Sequence, residues 1–193
     1  MRDRYAYRYL FVLWIIVACL SVIYQSLVNH WNVITWDTYG YYLYLPAFLK
    51  YGDWINFAFV EQHHDLYAFS ADIYQVHEAA KTGHKVPTYL YGLSVLYLPF
   101  YLIGELLARI SRFPADGLSL PYQLSIAASG WVYGYLAFRL LYRILRHYLR
   151  PIPILLALSF LLIGTNYGYY VVAQPASIHT ELIFPYALLA WVS

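Results

Sequence analysis

Tyr9-Leu10-Phe11-Val12-Leu13-Trp14-Ile15-Ile16-Val17-Ala18-Cys19-Leu20-Ser21-Val22-Ile23-Tyr24-Gln25-Ser26-Leu27-Val28 contains no charged residue. A helix rises about 1.5 Å per residue, so a run of this length covers the ~30 Å hydrocarbon core of a bilayer. Arg2, Arg4 and Arg8 flank it on the N-terminal side, and basic residues stay cytoplasmic when a first helix crosses. The run therefore predicts a membrane helix over about 9–28 that leaves the cytoplasm. Composition agrees: 62% of the 193 residues are hydrophobic and only 11% charged, against about 25% charged in a soluble domain. A single cysteine, Cys19, excludes a disulfide framework and a cysteine-rich metal site. No repetitive basic tract suggests nucleic acid.

A basic flank before an apolar run also fits a cleaved export signal. Ile16-Val17-Ala18-Cys19 is similar to the cleavage box of a bacterial lipid-anchored precursor. The residues after Cys19 stay apolar where a cleaved product would open a polar tether, so the run reads as an uncleaved helix.

Outward from this run comes Trp36-Asp37-Thr38-Tyr39-Gly40-Tyr41-Tyr42-Leu43-Tyr44-Leu45-Pro46. Its one carboxylate, Asp37, falls just beyond a crossing and should lie at a membrane–water boundary. Tyrosine and tryptophan favour that depth, and Tyr41 follows Asp37 by one helical turn. A charge held there is costly unless it is used, which makes Asp37 a candidate site residue. A structural reading stands beside it, since Asp before an apolar helix is a good N-cap.

Residues 29–87 form a large external loop in this reading. Six of the ten acids lie in it, as do five of the seven histidines, and no window is apolar enough to cross. Short surface helices are expected, one broken by Pro46 and closed by Gly52, another over Ala68 to Ala80 closed by Thr82-Gly83. His63-His64-Asp65, His77, Glu78 and His84 invite a metal reading, but their spacing matches no compact ligand motif; they read as a solvated polar loop.

Thr88 to Ile110 is apolar but contains Pro99 and Glu105. Pro121 to Leu141 follows and ends in Arg139, Arg143, Arg146, His147 and Arg150, the strongest basic cluster, which belongs in the cytoplasm. If helix 9–28 leaves and 121–141 returns, then 88–110 starts and ends outside, as a Pro99-bent re-entrant or half-buried helix; Arg109 and Arg112 favour a full crossing instead. A crossing over 154–172 comes next, with Gly164-Thr165-Asn166 as a polar notch. A turn with His179 precedes a last run, 181–193, too short to cross. The fold class is an all-α polytopic membrane protein, and the incomplete last run reads as the N-terminal part of a longer single domain.

Asp37, the tyrosine-rich helix after it and Lys50-Tyr51-Gly52-Asp53-Trp54 together resemble the first external loop of the GT-C membrane glycosyltransferases. The nearest branch is the family 39 type, which includes protein O-mannosyltransferases and lipid A aminoarabinose transferases. Lys85-Val86-Pro87 is similar to the Lys-Pro segment that opens the next membrane helix there. The arginine-rich end 139–150, and Gly164-Thr165-Asn166 followed by a polar turn, fall in the family's order. Two positions depart from it: His84 stands where an acid often precedes the Lys-Pro, and His179 where relatives place Asp.

The resemblance implies an inverting transferase of the bacterial inner membrane using a polyprenyl-phosphate-linked sugar. The membrane lipid would hold the donor's tail. Asp37 would be the general base, while Tyr41, Lys85 and His179 would contact substrate, the last two as cations beside the leaving phosphate. No metal ligands are assigned, although the family leaves room for a divalent ion. Lys85 also fits an interface anchor and His179 a helix-start neighbour. A multi-pass transporter or flippase, or a non-catalytic membrane subunit, stands as the alternative. Few charges in the spans beyond Glu105 weigh against transport.

Overall fold

A computed structural model describes residues 2–67, 75–80 and 82–193. Among the described residues the regular structure is helical apart from one short hairpin. The helices are α1 (Arg2–Leu27), α2 (Trp36–Tyr42), α3 (Tyr44–Pro46), α4 (Phe59–Tyr67), α5 (Gly92–Ile110), α6 (Leu120–Leu145), α7 (Pro151–Ile163), α8 (Asn166–Ala173), α9 (Ile178–Glu181) and α10 (Ile183–Val192). Three of them, α1, α5 and α6, are long and apolar enough to cross a membrane, and the bent pair α7–α8 qualifies as a fourth.

The chain divides into two units, Met1–His30 with Ala127–Ser193, and Trp31–Ile126. In the first, α1 buries one stripe, Ala6, Leu10, Trp14, Val17, Ser21 and Gln25. The spacing of three and four residues is that of one helix face. The stripe includes polar Ser21 and Gln25, while Phe11, Ile15, Ile16, Leu20 and Ile23 point outward. A water-soluble helix does the reverse. Ser21 Oγ donates to Val172 O at 2.8 Å and Gln25 Nε2 to Ala173 O at 3.0 Å. Polar side chains joining helices beneath an apolar exterior are what a lipid-facing bundle requires. The helices α1 and α6 run antiparallel, for Trp14 meets Phe138 with ring centroids 5.3 Å apart, and Asp3 accepts from Tyr142 Oη at 2.7 Å and Arg146 Nε at 2.9 Å.

The run expected to cross over 154–172 consists of two helices bent by 62°. Thr165 causes the break: extended at φ −127°, ψ 172°, it caps α8 by accepting the Tyr167 N–H. The last run, 181–193, is almost entirely α10, which α9 leads into.

The second unit is built around α5. This helix begins at Gly92, is 19 residues long and continues through Pro99, the proline at which a bend is expected. One lost backbone hydrogen bond is outweighed by packing, since Tyr97 and Tyr101 on its inner face are fully buried. Likewise Pro46 does not break the chain; it stays helical there and passes into a π-helical turn, Ala47–Tyr51. Gly52 ends that turn at φ 61°, a left-handed conformation that glycine adopts without penalty. The helix expected over Ala68 to Ala80 is corrected in its second half. Val76–Glu78 (β1) pairs antiparallel with Lys85–Pro87 (β2), the chain reversing at Gly83 with φ 68°. The first part of that expectation, residues 68–74, lies outside the described residues.

Candidate functional site

Asp37 is placed by the chain that enters α2. The N–H groups of Val33 and Ile34 both donate to Gln123 Oε1, at 2.9 and 2.7 Å, which anchors the approach. Trp36 then takes φ 48°, a left-handed conformation that costs a bulky residue about 1–3 kcal/mol. The cap position of α2 is Thr35, without a side-chain cap bond, and Asp37 sits exposed in the first turn. The capping role for Asp37 is therefore corrected, although a carboxylate in a first turn still suits the helix dipole.

What holds the carboxylate is Tyr89, whose hydroxyl donates to Asp37 Oδ1 at 2.6 Å. The Tyr89 ring stacks on Tyr41, centroids 4.4 Å apart and planes at 29°. Gly40 makes room for it, because a Cβ there would stand 2.5 Å from Tyr89 Cδ2 and 2.8 Å from Gln75 Oε1. Gln75 is 6% exposed, and its Oε1 has no hydrogen-bond partner among the described residues. The bond to Asp37, with burial and the nearby charge adding, pushes the Tyr89 phenol up to about 12. Burial, then the Asp37 charge, raises Tyr41. Both phenols keep their protons at neutral pH, so Tyr89 is a fixed donor. The arrangement is an exposed carboxylate with one oxygen held by a phenol and its outer side open to accept a proton.

Of the four residues singled out from sequence, Asp37 and Tyr41 come together. Lys85 instead pairs with Glu61, Nζ to Oε1 at 3.0 Å, and its N–H is tied to Ile55 O. His179 belongs to the other unit, its ring 4.3 Å from Tyr170. Tyr89 and Gln75 had no sequence signal, lying 52 and 38 positions after Asp37 with nothing local to mark them.

The polar-loop reading of the histidines holds for exposed His77 and His84 and is corrected at His63, which is 1% exposed. Its Nε2 lies 3.0 Å from Tyr51 Oη and 3.2 Å from the Asp116 carbonyl. Burial lowers its pKa to about 4, so it is neutral. Asp116 Oδ1 accepts from the Leu118 and Ser119 N–H groups at 2.9 Å, and Oδ2 from the Tyr67 hydroxyl. This network fixes the start of α6 to α4. Among the described residues no three His, Cys, Asp or Glu side chains gather as metal ligands. No family model, curated protein or solved structure matches the chain.

Proposed function

We propose that the chain belongs to an integral membrane glycosyltransferase of the GT-C kind, anchored with its N-terminus in the cytoplasm of a bacterial inner membrane. Asp37 takes the proton of an acceptor hydroxyl as that oxygen attacks the sugar carbon of a polyprenyl-phosphate donor from the face opposite the phosphate. The single observation that supports this is the oriented, exposed Asp37 carboxylate on a tyrosine platform. Lys85, already paired with Glu61, has further N–H donors for a leaving phosphate.

The test is Asp37→Asn with a lipid-linked sugar and a hydroxyl acceptor. A general base contributes roughly 10²–10⁴-fold, so transfer should fall at least a hundredfold with melting unchanged. Asp53→Asn and Asp65→Asn are the controls. Asp53 Oδ1 and Oδ2 accept the Asn56 and Ala58 N–H groups, so its loss should lower stability rather than rate. Near-normal transfer by Asp37→Asn, or equal inactivity of the controls, sinks the assignment.

A transporter reading is favoured by one observation. Glu181 is fully buried, accepts the Ser129 hydroxyl on Oε1, and has no partner for Oε2 among the described residues. Ionisable groups inside membrane units mark ion pathways. Vesicles that dissipate a pH gradient with wild-type protein and keep it with Glu181→Gln would favour transport over transfer.

A further inference from the structure

Near its start, α1 carries Arg4, Tyr7, Arg8 and Phe11, which line an open groove of about 540 Å³. Their spacing of three and four residues keeps them on one side of the helix. The antiparallel α6 brings two more arginines to Tyr7. The Arg139 guanidinium lies over the Tyr7 ring at 5.1 Å and the Tyr135 ring at 5.7 Å. Arg143 Nε donates to Tyr7 Oη at 3.3 Å, and its guanidinium stands 6.0 Å from the Trp191 ring. Stacking on rings holds a planar guanidinium in place while its edge keeps N–H donors for an anion.

Four guanidinium groups thus gather at one tyrosine, and among the described residues none of them has a carboxylate partner. This unit of the chain holds two acids, and both are engaged elsewhere. Asp3 accepts from Arg146 and Tyr142, and buried Glu181 accepts from Ser129. Like charges held this close repel, and an anion placed among them offsets that cost. The groove also changes character along its length. Beyond the arginines, Phe11 and Ile15 on α1 and Val132 on α6 are exposed and apolar, and the Phe11 ring meets Tyr135 at 5.9 Å. From Arg4 to Phe11 the helix rises about 10 Å, enough to pass from a headgroup layer into hydrocarbon. The ligand that fits is anionic at one end and apolar at the other.

We propose that this groove binds an anionic glycerophospholipid. Its phosphate lies among Arg4, Arg8, Arg139 and Arg143, whose guanidinium forks match phosphate oxygens, and an acyl chain follows Phe11, Ile15 and Val132. Basic pockets between membrane helices take such headgroups. A choline headgroup adds a cation that the arginines repel, so phosphatidylcholine is refused. The inference rests on α1 crossing a membrane, but neither on sugar transfer nor on which side the groove faces.

The experiment is a melting titration of the whole chain in detergent with phosphatidylglycerol, phosphatidylcholine or inorganic phosphate. Phosphatidylglycerol should raise the melting temperature saturably, and the other two should leave it in place. Arg8→Gln and Arg139→Gln should each raise the half-saturating phosphatidylglycerol about tenfold or more. Arg8 is exposed and has no bond within the chain among the described residues, so its variant reads the groove even where Arg139→Gln loosens packing. Arg150→Gln, near the end of α6 but outside the groove lining, and Asp37→Asn should both bind as wild type. The second of these separates lipid binding from sugar transfer. Resistance to carbonate extraction from membranes checks the crossing by itself, and release overturns the proposal through that premise. An equal response to phosphatidylcholine or inorganic phosphate, unchanged half-saturation in Arg8→Gln, or an equal loss in Arg150→Gln each overturns it directly.

Discussion

Tyr89 does at residue scale what a capping Asp37 would not need: it holds one carboxylate oxygen and leaves the other outward. Hydrogen bonds to charged groups contribute about 1.5–3 kcal/mol, so Tyr89→Phe should lower the rate of transfer by about tenfold or more. The ring stays stacked on Tyr41, so the melting temperature should fall by only the few degrees that the lost bond accounts for; an unchanged kcat would remove Tyr89 from the site. His63 gives a second prediction. Its folded pKa is lowered to about 4, against 6.5 when unfolded, so the unfolded chain binds the extra proton first. The stability that neutral His63 contributes is complete above about pH 6.5 and disappears as pH falls toward about 4. Melting curves over that window should slope for wild type and flatten for His63→Gln. Equal slopes would move the acid sensitivity elsewhere.

Among elements, the joint of α2 with the strand-to-helix segment after β2 rests on Gly40. Gly40→Ala puts a methyl group into the Tyr89 ring and Gln75. Overpacking of this kind costs about 1–3 kcal/mol, and the displaced ring should take the Asp37 hydrogen bond with it. Loss of both thermal stability and transfer is expected, where Gly92→Ala, whose Cβ meets nothing within 4 Å, changes neither. This joint also shows what the residues revealed unaided. The i, i+4 relation of Asp37 and Tyr41 was legible because helical spacing is local, and the long apolar run of α1 was legible for the same reason. Tyr89 and Gln75 were not, since only tertiary packing brings them to α2. The hairpin and the burial of His63 escaped similarly: Val76 meets Pro87, and His77 meets Val86, only after pairing, and His63 is polar in sequence but enclosed by Tyr39, Tyr51 and Asp116. The α7–α8 bend could have been suspected from Gly164-Thr165, a glycine before a strong N-cap residue, but the apolar run hid it.

For the whole molecule, sidedness follows from the ends of the helices that pack together. Asp3 lies beside Arg146, so the chain's start and the arginine-rich end of α6 share one side, in agreement with the basic residues near both. On the proposed reading, basic flanks retained in the cytoplasm would place residues near Arg150 inside and the end of α1 outside. After Arg150 the chain runs through α7 and, past its bend, α8. Together they hold enough apolar length for one passage, whereas α7 alone, with 13 residues, falls short of the ~20 a crossing needs. A reporter after Arg150 should therefore read as cytoplasmic, and reporters after Gly83 and Ala176 as external. A cytoplasmic reading at Ala176 would contradict this arrangement, because Gly130, in the first half of α6, lies against the Pro175 carbonyl. External reading at Arg150 would reverse the orientation of α6, and with it the side on which the proposed Asp37 site would lie.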